Sequence, residues 1–224
     1  MFYKDRIGDD KMITAKQFIA QAKKHINESY VYGCKHEVLT KEKFYQLQKA
    51  YGKICVWDSD INKVGNFCCD CSGLIGISLQ ELGIRGYMIG SSQFYERATR
   101  KEKITTYDSI PIGACVWRNG HIGIYIGNGK YIAEDGSAHG CRIANMYQNN
   151  FTHYLLFENI IDYKKEGGNM EVKKVKVKFN GNQKEINAIY QDGHYYFMAQ
   201  DLNDYYLHTE YDQVAKQVVI ECRA

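Results

Sequence analysis

Hydrophobic periodicity changes once along this chain, and that change constrains the fold more than any other feature. Before Pro111, the only proline, apolar residues recur at helical spacing; after it they alternate or run together at strand length. In TAKQFIAQAKKHINE (14–28), Phe18, Ile19, Ala22 and Ile26 share one face and Thr14 stands where an N-cap belongs. In LTKEKFYQLQKAYG, Thr40 caps, Phe44, Leu47 and Tyr51 form a stripe, and Gly52 stops the helix. An irregular stretch, KICVWDSDINKVGNFCC, leads into a third helix, DCSGLIGISLQELG, with Leu74, Ile75, Leu79 and Leu82 apolar and Gly83 at its exit. IPIGACVW, HIGIYIG and KYIAE then read as strands divided by Asn119-Gly120 and Gly127-Asn128-Gly129, and HYLLFENII (153–161) as another. Helices first and strands after predict an α+β fold rather than alternating βαβ units.

The same reading divides the chain. Residues 1–162 form one domain, 163–170 a charged, glycine-containing linker, and 171–224 a small β-rich domain. In the last, three strand-like runs are separated by Asn180-Gly181 and Asp192-Gly193, MAQDLNDYYL suggests a short helix, and QVVIE a final strand. A domain this short is near the lower limit of what folds alone, so docking or self-association is expected to support it. The net charge of +3 is too small to indicate a nucleic-acid binder. No run approaches the ~20 apolar residues of a membrane helix, and MFYKDRIGDDKMITAKQ lacks the apolar segment of a signal peptide. Eight cysteines in such a chain read as mostly reduced thiols.

One of those thiols is placed for chemistry. Cys71 opens the third helix, where unpaired backbone N–H groups and the positive helix end favour a thiolate. Ser72 and Gly73 keep the approach open for a substrate carbonyl, and the Cys71 amide is a candidate oxyanion donor. His121 opens the strand after the Asn119-Gly120 turn, with small Gly123 following on the same face, and could accept the thiol proton. No metal is expected: Cys68, Cys69 and Cys71 with His36 or Cys34 could be imagined as ligands, but adjacent cysteines point apart.

DCSGLI (70–75), GACVWRNGHIGIYIGNGKYI (113–132) and YVYG (30–33) together resemble the NlpC family of papain-like cysteine peptidases, over roughly residues 14–160. The resemblance implies a helix bearing Cys71 packed on an antiparallel sheet bearing His121. It also implies cleavage of amide bonds in the stem peptides of bacterial cell-wall peptidoglycan, a substrate that suits the mildly basic N-terminal part. Carried over, Cys71 is the nucleophile and His121 the base; Asp70 and Ser72 line a subsite where a carboxylate can meet a free amino group, and Tyr30 reaches the site. The family's third catalytic position falls on Ala133. If Asn128-Gly129 is a two-residue turn, Gly123 pairs with Glu134, which then shares the face of His121. A one-residue bulge would turn Asp135 there instead. The expectation is Glu134, with Asp135 and a simple Cys-His dyad as alternatives.

The tail is similar to the N-terminal-type copper-amine-oxidase modules of surface proteins, which implies wall binding or homo-oligomerisation, with tyrosines such as Tyr195 and Tyr196 as contact rings. Lys165-Glu166-Gly167-Gly168-Asn169 before Met170 reads as a flexible linker, or as a coding stretch able to hold a ribosome-binding sequence, which would co-produce a fragment starting at Met170. A wall hydrolase without export signal is similar to a phage endolysin, waiting in the host cytoplasm before release to the wall. The alternatives on the same Cys-His machinery are an N-acetylmuramoyl-L-alanine amidase and a transpeptidase or transglutaminase. The alternative without chemistry is a cell-wall-binding protein.

Overall fold

In a computed structural model, residues 12–163, 172–179, 182–191, 194–197, 207–212 and 217–222 are described. The chain divides into two compact units, Met1–Lys165 and Glu166–Ala224.

The first unit begins with β1 (Ile13–Thr14) and α1 (Ala15–Lys23), capped by Thr14 and Gln17 in reciprocal hydrogen bonds. The helix is shorter than expected. After Lys24 the chain turns, and Asn27, at φ 76°, gives its N–H to the Cys141 carbonyl instead of continuing the helix. Then follow β2 (Ser29–Tyr30), β3 (Lys35–Val38) and α2 (Lys41–Tyr51), capped by Thr40 and ended by Gly52. Phe44 and Leu47 are buried as the stripe predicts, but Tyr51 is exposed at the helix end, edge-on to Tyr32. A 3-10 segment (Asp58–Lys63) and β4 (Phe67–Cys69) lead to α3 (Cys71–Glu81). Residues Cys71 to Leu79 are all buried, so α3 is a core helix with no solvent stripe.

The rest of the unit is α4 (Ser91–Arg97), β5 (Arg100–Lys103), β6 (Cys115–Arg118), β7 (His121–Gly127), β8 (Lys130–Glu134), β9 (Cys141–Asn145), β10 (His153–Leu156) and β11 (Ile161–Asp162). Six of these strands make one sheet, in the order β5-β10-β6-β7-β8-β9, and every pairing in it is antiparallel. Strand alternation separates two apolar layers. Ile122, Ile124, Ile132, Cys115, Cys141 and Leu155 face α1 and α3, whereas Val116, Tyr125, Tyr131, Ala133 and Leu156 pack with Met146 and Phe151 on the other side. A smaller sheet, β2-β4-β3, stands before α3 and aims its first residue. The α+β layout is the expected one; α4 and β5 were not legible, since residues 91–103 are mostly polar and β5 is fully exposed.

The second unit contains an antiparallel meander of β12 (Val172–Phe179), β13 (Asn182–Gln191) and β14 (His194–Phe197), and a hairpin of β15 (Leu207–Asp212) and β16 (Gln217–Cys222). The expected helix in MAQDLNDYYL falls almost entirely outside the described residues, and its last residue, Leu207, begins a strand. The Lys165–Met170 stretch also lies outside them.

Candidate active site

The start of α3 is built around Asp70. Its carboxylate caps the helix by accepting from the Gly73 N–H at 2.7 Å, and accepts from the Ser72 hydroxyl at 2.8 Å and the Gly33 N–H at 3.2 Å. Gly73 is needed here: a Cβ would stand 2.6 Å from Cys69 Sγ and 3.0 Å from the Cys34 carbonyl oxygen. The two other ligands of this carboxylate come from one side chain. Lys35 Nζ lies 2.8 and 2.9 Å from the Asp70 oxygens and 2.6 Å from Ser72 Oγ, and donates to the Ile89 carbonyl at 3.3 Å. The amino group that meets Asp70 and Ser72 in this structure therefore belongs to the protein itself.

Cys71 is buried, and burial, reinforced by the Asp70 charge, pushes its thiol up to about 12. Working the other way are backbone hydrogen bonds from Ile122 and Ser72 and the charge of Lys35. Cys71 and Ile122, the residue next to His121, lie in the same buried cluster. Tyr30, in β2 and paired with Cys69, is buried beside the same groups; desolvation first, then the charges of Cys71 and Asp70, raise its hydroxyl well above the usual tyrosine range. Lys63 fixes that segment, reaching the Tyr30 carbonyl at 2.7 Å while ion-paired to fully buried Asp60.

His121 opens β7 and is nearly buried, its ring stacked on Phe151 with centroids 5.5 Å apart. Its Nε2 stands 3.2 Å from Asp135 Oδ1, a close charge contact without the alignment of a directed hydrogen bond. The register that led to Glu134 is corrected by the sheet. Gly127 does pair with Lys130, but a bulge follows, so Tyr125 pairs with Tyr131 and Ile124 with Ile132. Continued, that ladder sets His121 opposite Asp135 and turns Glu134 to the other face. Gly123 serves the bulged register too: a Cβ there would meet the Tyr131 ring and the Ile132 carbonyl oxygen at 3.0 Å.

The two neighbouring carboxylates live in opposite surroundings. Asp135 accepts from Tyr131 Oη at 3.0 Å, Arg142 Nε at 2.8 Å and Asn149 Nδ2 at 2.9 Å, and Arg142 Nη2 is 2.6 Å away. Burial opposes its charge, but His121, Arg142, Tyr131 and Asn149 outweigh it and hold the carboxyl well below the usual range. Glu134 is fully buried, and neither of its oxygens has a hydrogen-bond partner among the described residues; burial first, and then the charge of Glu28, push it up to about 9. At neutral pH it is a neutral acid. Arg142, Asn149 and Phe151 were missed in the sequence because they come from β9 and the loop after it, far from either motif. Lys35 had no local signal either. Among the neighbouring cysteines, Cys68 joins one apolar cluster, and Cys69 and Cys71 another.

The α+β scaffold thus carries a buried thiol at a capped helix start and a buried imidazole, with Asp135 beside it, at the start of β7. Residues 52–158 match the model of the NlpC/P60 family, and over that stretch the chain is homologous to it. Among solved structures, the NlpC/p60 domain of peptidoglycan hydrolase SagA is 18% identical, with 65% of this chain and all of that chain covered and a TM-score of 0.44. The peptidoglycan hydrolase RipB of Mycobacterium tuberculosis is 19% identical, with 64% of this chain and 63% of that one covered and a TM-score of 0.45. NlpC1 of Trichomonas vaginalis is 15% identical, with 63% and 43% covered and a TM-score of 0.41. No curated protein matches the chain. No helix among the described residues is long and apolar enough to cross a membrane.

Proposed function

We propose that this chain is a cysteine-dependent peptidoglycan hydrolase that cleaves an amide bond in the wall stem peptide, with Cys71 as nucleophile, His121 as base and Asp135 as the group that orients His121. The observation that carries the reading is the packing of Cys71 and Ile122 in one buried cluster, which sets the helix start against the strand that His121 opens. Homology over residues 52–158 supports the substrate class.

In the reaction, Asp135 engages Nε2, so Nδ1 of His121 takes the Cys71 proton as the sulfur attacks the scissile carbonyl carbon. Because the resting thiol is protonated, transfer accompanies attack. Backbone N–H groups at the helix start, that of Cys71 first, receive the developing oxyanion. The imidazolium then protonates the leaving amine, and water, activated by the same imidazole, hydrolyses the thioester. Tyr30, Asp70 and Ser72 line the subsite beside the nucleophile, with Lys35 seated in it. A phage-endolysin role, residence in the host cytoplasm and wall binding or self-association through the second unit, with or without a fragment starting at Met170, complete the proposal. Free thiols throughout the first unit suit a reducing compartment.

The test is digestion of purified Gram-positive walls by the wild type and by Cys71→Ala, followed by mass spectrometry of the released fragments. New peptide termini made only by the wild type are expected, and the bond cut separates endopeptidase from amidase. Wall binding by both proteins with no release by either would replace the enzyme by an adhesive wall-binding module.

A further inference from the structure

Outside the thiol site, two imidazoles and a carboxylate converge. His25, in the turn after α1, places Nδ1 3.0 Å from Glu28 Oε1, and His36, in β3, places Nε2 3.3 Å from the same oxygen. The three ligand atoms all lie within 4.8 Å of one another, and the two rings meet edge-on with centroids 4.8 Å apart. His25 is nearly fully buried, and Glu28 Oε2 is buried with no partner among the described residues. Hydrogen bonds alone leave that oxygen unsatisfied while crowding two rings onto its twin.

We propose that His25, Glu28 and His36 bind a divalent transition-metal ion of the zinc type. Three further features support it. The other nitrogen of His25 is held by a carboxylate, Nε2 standing 3.1 Å from Glu81 Oε2, which the Gln21 amide also binds. A metal-bound imidazole is ordinarily oriented this way, its second N–H given to a carboxylate. His36 sits at φ +64°, at the bulge between Lys35 and Glu37, and is stacked on Phe67 at 5.0 Å. The bulge and the left-handed backbone of His36 together turn its imidazole toward Glu28. Finally, two nitrogens and one oxygen are the donors zinc takes. With bonds of about 2.0–2.2 Å, the 3.0 and 3.3 Å spacings suit neighbouring ligands of a tetrahedral ion. The third edge closes by roughly 1.5 Å when the ion binds.

The ion ties the end of α1 to β3. Through His36 it fixes the neighbouring Lys35, whose ammonium holds Asp70 and Ser72. It is a structural ion and takes no part in the thiol chemistry.

The test uses the full-length chain, stripped with chelator and titrated with Zn2+ by calorimetry. One equivalent is expected, with affinity lowered at least ~100-fold in His25→Ala and in Glu28→Gln, and roughly 10–100-fold in Glu81→Gln. Cys71→Ala should bind as the wild type does, which separates this site from the proposed nucleophile. Co2+ substitution guards against binding by the free cysteines and against variants that fail to fold. The wild-type cobalt adduct should show visible d–d bands without sulfur-to-metal charge transfer. Absence of binding, equal binding in the His25 and Glu28 variants while circular dichroism shows them folded, or a thiolate charge-transfer band would each overturn the proposal.

Discussion

Glu134 and Asp135 are adjacent carboxylates, and exchanging each for its amide separates the register of the sheet from that of a bulge-free hairpin. In Asp135→Asn the shape is kept and the charge lost. Arg142, with donors at 2.8 and 2.6 Å, is left facing an amide, as are Tyr131 and Asn149. Removing one partner of a buried ion pair costs on the order of 3–5 kcal/mol, and the partial exposure of Arg142 brings this to about 2–3. His121 loses the charge that stabilises its imidazolium, so kcat should fall about 10²–10⁴-fold with little change in KM. In Glu134→Gln a neutral acid becomes a neutral amide, and at pH 7 kcat should stay within about threefold of wild type. Stability adds a second readout. The folded protein holds the Glu134 proton up to about 9, whereas the unfolded chain releases it near 4.3. The native state binds more protons in between, so stability falls as pH rises through that window, by up to about 1.4 kcal/mol per pH unit. Glu134→Gln should flatten that slope. Both variants are assayed on wall fragments and by urea denaturation across pH, with chelator present throughout. Wild-type kcat in Asp135→Asn together with a large loss in Glu134→Gln would refute the reasoning.

Alkylation of Cys71 by iodoacetamide, followed by peptide mapping, should accelerate about tenfold per pH unit from 7 to 10 without a plateau, because burial keeps the thiol protonated; a plateau near neutrality would indicate a preformed thiolate–imidazolium pair. Lys35→Met removes the ammonium from Asp70 and Ser72, so KM for a stem peptide with a free amino end should fall about tenfold relative to its acetylated form, and an unchanged ratio would mean that Lys35 does not occupy the amine subsite. Gly73→Ala places a methyl group against Cys69 Sγ and the Cys34 carbonyl, and should destabilise by about 1–3 kcal/mol despite alanine's better helix propensity; a more stable variant in urea melts would show that α3 can shift away from β4. Below about pH 4 the protein should lose the stability that Asp135 supplies, since its folded carboxyl titrates below the unfolded value near 3.9; a wild-type acid limb no steeper than that of Asp135→Asn would contradict this.

What could be read from the sequence was local. Thr14 and Thr40 sit at helix starts because each is an oxygen-bearing side chain just ahead of a helical apolar stripe, and both cap as their chemistry requires; Asp70, read as lining a subsite, caps α3 as well. The alternation in HIGIYIG and KYIAE fixes which residues are strand, but not the pairing between them. Pairing turned on one bulge between Tyr125 and Gly127, and nothing in Gly127-Asn128-Gly129 states whether the extra residue exists. Lys35 and Glu28 were invisible for a related reason. A charged residue in a polar stretch looks solvated until the strand holding it is placed beside another, and β3 is polar except for Val38.

The bulge explains more than a register. Without it Glu134 would share the face of His121, and Asp135 would point into the layer that packs on α1 and α3. With it, the carboxylate reaching the imidazole is the one that four side chains can satisfy, and the one left behind is buried close enough to Glu28 for that charge to raise it further. Two adjacent carboxylates cannot both be ionised cheaply in a core, so the fold separates them, one charged among donors and one neutral among apolar groups. That division sets the polarity of the whole site. The negative charge stands behind His121, where it favours the imidazolium that the proposed reaction creates. At the start of α3, the ammonium of Lys35 offsets Asp70, whose charge alone would hold Cys71 still further from its thiolate. Deleting Ile126 to erase the bulge should therefore cost activity through His121 before it costs the fold.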